Sequence, residues 1–137
     1  MQITVLLRSE ETADAIGLVE VVASAGWDGP PLHHHPFDET FYVLDGELTF
    51  QLGDDIRPAG PGEVVFAGGG SVHTLANLSP RDARYLVAVT PGGFERYFDK
   101  LAARAAGVEP PPTVAKGYPE TTVVGPQIRQ RLESERG

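Results

Sequence analysis

Pro31-Leu32-His33-His34-His35-Pro36-Phe37-Asp38-Glu39 holds three of the chain's four histidines and places a glutamate four residues after the last of them. Imidazole is the commonest metal-binding side chain. Side chains of an extended segment alternate between two faces. His33 and His35 therefore share one face, and Glu39, Phe41 and Val43 continue it, while His34 turns to the other face or sits in a turn. Two imidazoles and a carboxylate then converge on one interior. The fourth histidine, His73, stands in Gly68-Gly69-Gly70-Ser71-Val72-His73-Thr74-Leu75-Ala76-Asn77 and returns to the same interior if the strands close an antiparallel barrel. Three imidazoles and one carboxylate suit a single divalent transition metal: Fe, Mn, Ni, Cu or Zn. An arbitrary run of three histidines reads more readily as a solvated loop, but the regular spacing of His33, His35, Glu39 and Gly46 weighs against that.

Working outward, short apolar segments are punctuated by 16 glycines and 12 prolines. They predict strands over 3–8, 18–25, 40–44, 48–52, 64–67, 73–78 and 84–90. The gaps are too short for helical crossovers between parallel strands, so the fold class is all-β, with antiparallel strands in a sandwich or barrel. Asp45-Gly46 between residues 40–44 and 47–52 reads as the two-residue turn of a hairpin. In the second of those strands Leu48, Phe50 and Leu52 share one face, Thr49 and Gln51 the other. Gly53-Asp54-Asp55 begins a further turn, and Pro58 to Gly62 reads as a loop.

After Pro91-Gly92-Gly93 the period changes. Phe94, Tyr97, Phe98 and Leu101 form an amphipathic stripe on a helix over 94–104, with Gly107 as C-cap and Pro110-Pro111-Pro112 beyond it. The stripe is expected to pack the helix across one sheet. A short charged helix is expected over 127–134. Residues 1–112 thus make a barrel with a helix. Residues 113–137 make a C-terminal tail that packs on the barrel or on a partner subunit, with 118–126 as an added edge strand.

The 137 residues fit one domain with a real core. No cysteine is present, which excludes disulfides and thiolate metal sites. A net charge of −8 without a basic patch argues against nucleic acid and anionic membranes as partners. Met1 to Arg8 lacks the features of a signal peptide, and no apolar run reaches a membrane span, so the expected location is cytoplasmic.

The spacing resembles the cupins. Their first motif runs G-x5-H-x-H-x3/4-E-x6-G, and His33, His35, Glu39 and Gly46 are in register with it. The second runs G-x5-P-x-G-x2-H-x3-N, and Gly62, Gly70, His73 and Asn77 are in register with that. Trp27 stands at the leading glycine of the first motif and Gly68 at the proline of the second. The resemblance implies a double-stranded β-helix, a jelly-roll barrel, with one divalent ion held by His33, His35, Glu39 and His73. It also implies a homodimer. In some cupins the equivalent of Glu39 leaves the ion and acts as a base, which makes Glu39 the candidate catalytic residue. The segment from Thr90 to Phe98 looks like the stretch after the barrel in quercetin-dioxygenase-like cupins.

Positions of interior parity near the expected ion are apolar. Phe41, Phe50 and Leu75, with Trp27 and Phe37 at the entrance, are the candidate substrate-binding residues, although each also suits ordinary barrel core. Asn77 reads as a turn cap. The family likeness implies first a metal-dependent oxidoreductase of dioxygenase type, acting on a small oxygen-bearing, aromatic or apolar molecule. A non-oxidative isomerase, lyase or cyclase, or a binding cupin without turnover, stays open.

Overall fold

In the computed structural model, which describes residues 1–136, the alternating segments become strands with one face inward. They are β1 (Gln2–Leu7), β2 (Gly17–Ala23), β3 (His33–His34), β4 (Asp38–Asp45), β5 (Leu48–Leu52), β6 (Asp55–Ala59), β7 (Val64–Ala67), β8 (His73–Ala76), β9 (Ala83–Thr90) and β10 (Thr122–Val123). The seven strands expected between residues 3 and 90 are present, with ends displaced by at most two residues, and the edge strand expected over 118–126 shrinks to Thr122–Val123. Two five-stranded sheets result, ordered β1-β2-β9-β4-β7 and β10-β3-β8-β5-β6, and every pairing is antiparallel. Their inner faces enclose one core that includes Val21, Val43, Leu48, Phe50, Val65 and Val87. Each such side chain removed from water contributes on the order of 2 kcal/mol. This is the mostly-β, double-stranded β-helix architecture.

The expected hairpin at Asp45-Gly46 does not form. β4 pairs with β7 and β9, whereas β5 pairs with β6 and β8 in the other sheet. The chain turns a corner here instead of doubling back. A bulge between Val43 and Asp45 bends β4. Gly46, at φ +77°, then passes so close to the β8–β9 connection that a Cβ would lie 2.7 Å from the Asp82 carbonyl oxygen and 2.8 Å from the Ala83 Cα. The real two-residue hairpin joins β5 to β6 around Gly53-Asp54, with Leu52 opposite Asp55. β6 runs through Pro58, which the sequence placed in a loop. It is an edge strand, where a missing N–H is tolerated.

Helix α1 (Glu95–Ala106) ends at Gly107, which takes φ +68° and donates its N–H to the Ala103 and Arg104 carbonyls. It packs against β1 and β2. Its first residue is fixed from below: the wholly buried Glu95 accepts hydrogen bonds from Ser9 N (2.9 Å), Ser9 Oγ (2.8 Å) and Gly93 N (2.6 Å). Arg8 grips Asp99 of the same helix through Nε and Nη2 on one guanidinium edge, at 2.9 and 2.8 Å.

The tail lies on the barrel. β10 adds to the edge of the second sheet beside β3, with Thr122 opposite His34 and Val123 opposite His33. Helix α2 (Ile128–Arg136) packs against β8 with Ile128 fully buried. Its cover explains why β8 is buried on both faces and why Gln51, paired to Thr74, is buried although it points away from the core. No helix among the described residues is long and apolar enough to cross a membrane.

Candidate metal centre

The site forms where the two sheets meet. His33 and His73 are direct cross-strand partners on β3 and β8, so their rings come within 4.6 Å. The chain then leaves the second sheet. His35 lies in that crossing, held by its carbonyl accepting the Gly70 N–H at 2.8 Å. Glu39 is the second residue of β4 in the first sheet. Although the extended segment breaks between β3 and β4, the alternation survives it: His33, His35, Phe37, Glu39, Phe41 and Val43 are all buried. His34 is half-buried, pairs through its backbone with Thr122, and stands outside the cluster.

One ligand atom from each of His33, His35, Glu39 and His73 lies within 4.8 Å of the others. The three imidazoles are oriented alike. Nδ1 of His33 meets the Pro31 carbonyl at 2.7 Å, Nδ1 of His35 the Phe37 carbonyl at 3.0 Å, and Nδ1 of His73 the Ser71 carbonyl at 2.9 Å. A carbonyl only accepts, so each Nδ1 carries the proton and each Nε2 presents a lone pair inward. Glu39 Oε1 sits 2.7 Å from His35 Nε2 and 3.0 Å from His73 Nε2. Neutral imidazoles and a carboxylate turned on one another repel unless a cation lies among them. A divalent metal satisfies that donor set, and an extra proton does so only in part.

The titration behaviour has the same origin. A proton on Nε2 is the alternative to a cation, and it turns the repulsion into a hydrogen bond. Burial alone would raise the Glu39 carboxyl, but in that state its hydrogen bonds to His35 and His73 outweigh burial and hold it down at about 2. Burial lowers His33. It would lower His73 too, but the hydrogen bond to Glu39 leaves that ring raised.

His35 is braced from behind. Its ring stacks on Phe37 at 3.7 Å and 3°, and Phe37 in turn meets Phe94 at 4.6 Å. Phe37, expected at the entrance, is therefore buried behind the site and is not part of the lining of the cavity that holds His33, Glu39 and His73. Phe50 is displaced as well: it lies in the core at 5.2 Å from Phe41, and the cavity stops short of it. Both are taken up in packing, because a small barrel fills most of its interior with inward side chains.

In front of the cluster opens a cavity of about 610 Å³. His33, Glu39 and His73 form part of its lining, and Trp27, Phe41 and Leu75 line it as the sequence suggested. The helix stripe does more than cover a sheet, because Phe94, Tyr97, Phe98 and Leu101 form one wall. Tyr118 from the tail completes the aromatic group, 5.4 Å from Tyr97. Among the described residues, no Lys or Arg lines the cavity. Sequence reasoning missed Tyr85, although its inward parity with Val87 and Val89 was readable in β9. It also missed Tyr118, for which no local pattern gave a signal. Asn77 caps a turn: its amide donates to the Ala23, Ser24 and Arg81 carbonyls.

A buried centre of three histidines and one glutamate that could hold a metal ion, mounted inside a double-stranded β-helix, defines a class of small barrels. The cupin domain family matches residues 19–89, over half of the chain, and the chain belongs to that family. Solved structures agree on the fold. The polyketide cyclase RemF from Streptomyces resistomycificus is 28% identical over 64% of this chain and 63% of its own, with a TM-score of 0.58. The DMSP lyase DddQ from Ruegeria pomeroyi DSS-3 is 32% identical over 56% of this chain but only 39% of its own, with a TM-score of 0.51. A predicted oxalate decarboxylase from Thermotoga maritima is 24% identical over 65% and 78%, with a TM-score of 0.61. No curated protein matches the sequence.

Proposed function

We propose that this cupin is a metal-dependent oxidoreductase of dioxygenase type that acts on a small, mainly apolar molecule bearing oxygen donors. One observation carries the reading: the inward lone pairs of His33, His35 and His73 and the Glu39 carboxylate meet beside a cavity walled mainly by apolar and aromatic side chains, with Glu120 and Thr121 of the tail as further polar members. When bound, a divalent ion there supplies Lewis acidity toward oxygen donors and, if redox-active, a means of using dioxygen. The chain's own groups do the rest. Trp27, Phe41, Phe94, Tyr97 and Tyr118 offer flat apolar surface that excludes water. The Oε1 of Glu39 is engaged by His35 and His73, and its Oε2 has no protein hydrogen-bond partner among the described residues. Oε2 is the atom that would take a proton from a ligand hydroxyl or an acidic C–H. Without a Lys or Arg among the described lining residues, a small dianion finds no side-chain counter-charge beyond the ion itself.

A second reading is favoured by the likeness to RemF, a polyketide cyclase, and DddQ, a DMSP lyase. Proton removal by Glu39 would then lead to ring closure or elimination without dioxygen. Metal analysis of protein purified without chelator, followed by oxygen-electrode screening of catechols and flavonols, tests the first reading. Oxygen uptake with a redox metal supports it, turnover without uptake moves the chain to the second, and absence of bound metal ends both.

The first sheet ends in an open edge at β7, where Val64 and Phe66 are 58% and 57% exposed beside Tyr42. We propose a second copy of the chain as the partner that covers it, since an open apolar edge is otherwise an aggregation hazard.

A further inference from the structure

Tyr85 is the one polar member of the inward set of β9, among Ala83, Val87 and Val89. Its strand lies at the middle of the first sheet, and Tyr85 is opposite Val21 on β2 and Val43 on β4. The ring packs 6.0 Å from Phe41. Only 3% of the residue is exposed, and the exposed part belongs to the cavity that His33, Glu39 and His73 also line. Buried tyrosine hydroxyls normally find a hydrogen-bond partner. Here the protein supplies none among the described residues, and the hydroxyl is not one of the fully sealed unpaired atoms. Phenylalanine would fill the same space, so packing does not account for the oxygen.

We propose that the Tyr85 hydroxyl is a specificity-determining donor: it hydrogen-bonds a second oxygen acceptor on a ligand whose first oxygens sit at the four-residue centre. The proposal rests on the metal reading above and narrows its ligand class to flat, apolar molecules with oxygen functions at two separated points, such as a hydroxylated aromatic carbonyl compound. Burial, and then the negative charge of Glu39, push the phenol up from its ordinary value, so it stays protonated and donates. A protonated phenol donates to an uncharged or anionic acceptor and gives nothing to a hydrocarbon end.

The test uses the full chain loaded with Zn(II), which does not oxidise the probes. 3,4-Dihydroxybenzaldehyde carries an acceptor carbonyl opposite its hydroxyls, and 4-methylcatechol carries a methyl there. Each is titrated by calorimetry into the native protein and into Tyr85→Phe, and zinc content is read separately by mass spectrometry. The expected result is unchanged zinc, roughly tenfold weaker binding of the aldehyde to Tyr85→Phe, and unchanged binding of methylcatechol. Equal affinities for both proteins, equal weakening of both probes, or a zinc-loaded native chain that binds neither probe would overturn the inference alone. A native chain that takes up no zinc would overturn the metal reading and this inference with it.

Discussion

Glu39 Oε1 lies 3.0 Å from His73 Nε2, although 34 residues separate them and they stand on different sheets. The centre is thus a tie between the two halves of the barrel as well as a place for an ion. Because the pieces assemble only on folding, ion binding is coupled to stability. His73→Ala is expected to lose at least a hundredfold in metal affinity. It should also lose most of the difference in melting temperature between metal-loaded and chelator-treated protein. Mass spectrometry and calorimetry on the same samples check both; an unaltered metal content would refute the assignment.

The Phe37 ring, stacked on His35 at 3.7 Å, fixes the plane of an imidazole whose Nδ1 is held by the Phe37 carbonyl itself. Removing the ring frees the imidazole to tilt without deleting a ligand. Phe37→Leu should fold, keep the cavity, and bind Zn(II) about 10- to 100-fold more weakly. Competition against a chromogenic chelator measures it.

Glu95 gives the clearest dependence of stability on acid. Burial alone would raise its carboxyl, but the N–H groups of Ser9 and Gly93 and the Ser9 hydroxyl outweigh that and hold it below its ordinary 4.5. A carboxylate lowered on folding stabilises the fold above pH 4.5, and that contribution is lost as pH falls through the lowered value. Glu95→Gln should therefore cost about 1–3 kcal/mol at pH 7 and show a shallower loss of stability below pH 4.5 than the native chain. Urea titrations at several pH values decide the point.

Why some of this was readable in the sequence, and some not, follows from the range of the forces involved. Alternation is local, so His33, His35, Glu39, Phe41 and Val43 declared their common face even across the break between β3 and β4. The amphipathic stripe from Phe94 to Leu101 is local too, and α1 appears within one or two residues of its expected bounds. Sheet membership is not local. Asp45-Gly46 carries a true turn signal, yet whether the next strand doubles back or crosses over depends on what Gly46 meets, and that is the backbone of Asp82 and Ala83 far along the chain. Phe37 and Phe50 have the right parity for the cavity, but parity fixes a face and not a depth along the barrel.

Gly46 provides a test of that corner. Alanine there would need positive φ and would press its methyl on backbone atoms that have little room to yield. Gly46→Ala is expected to destabilise the fold by about 2 kcal/mol or more, whereas Gly53→Ala, at φ +59° with nothing near its missing Cβ, should cost about 1. Denaturation midpoints of the two variants make the comparison.

The partner proposed for β7 predicts a change of mass. Phe66→Glu should shift the protein from dimer to monomer in analytical ultracentrifugation while leaving bound metal unchanged. A native chain that sediments as a monomer would dismiss it.

The last twenty residues have a consequence of their own. Val123 lies against the strand that bears His33, and Tyr118, Pro119 and Thr121 form part of the cavity wall, yet none of the four cation-facing groups comes from that stretch. The groups that would capture an ion, and one stretch of the wall its guest would meet, are thereby written in different passages of the polypeptide. A lineage could rewrite the closing passage and acquire a new guest while the older inorganic chemistry passed down untouched.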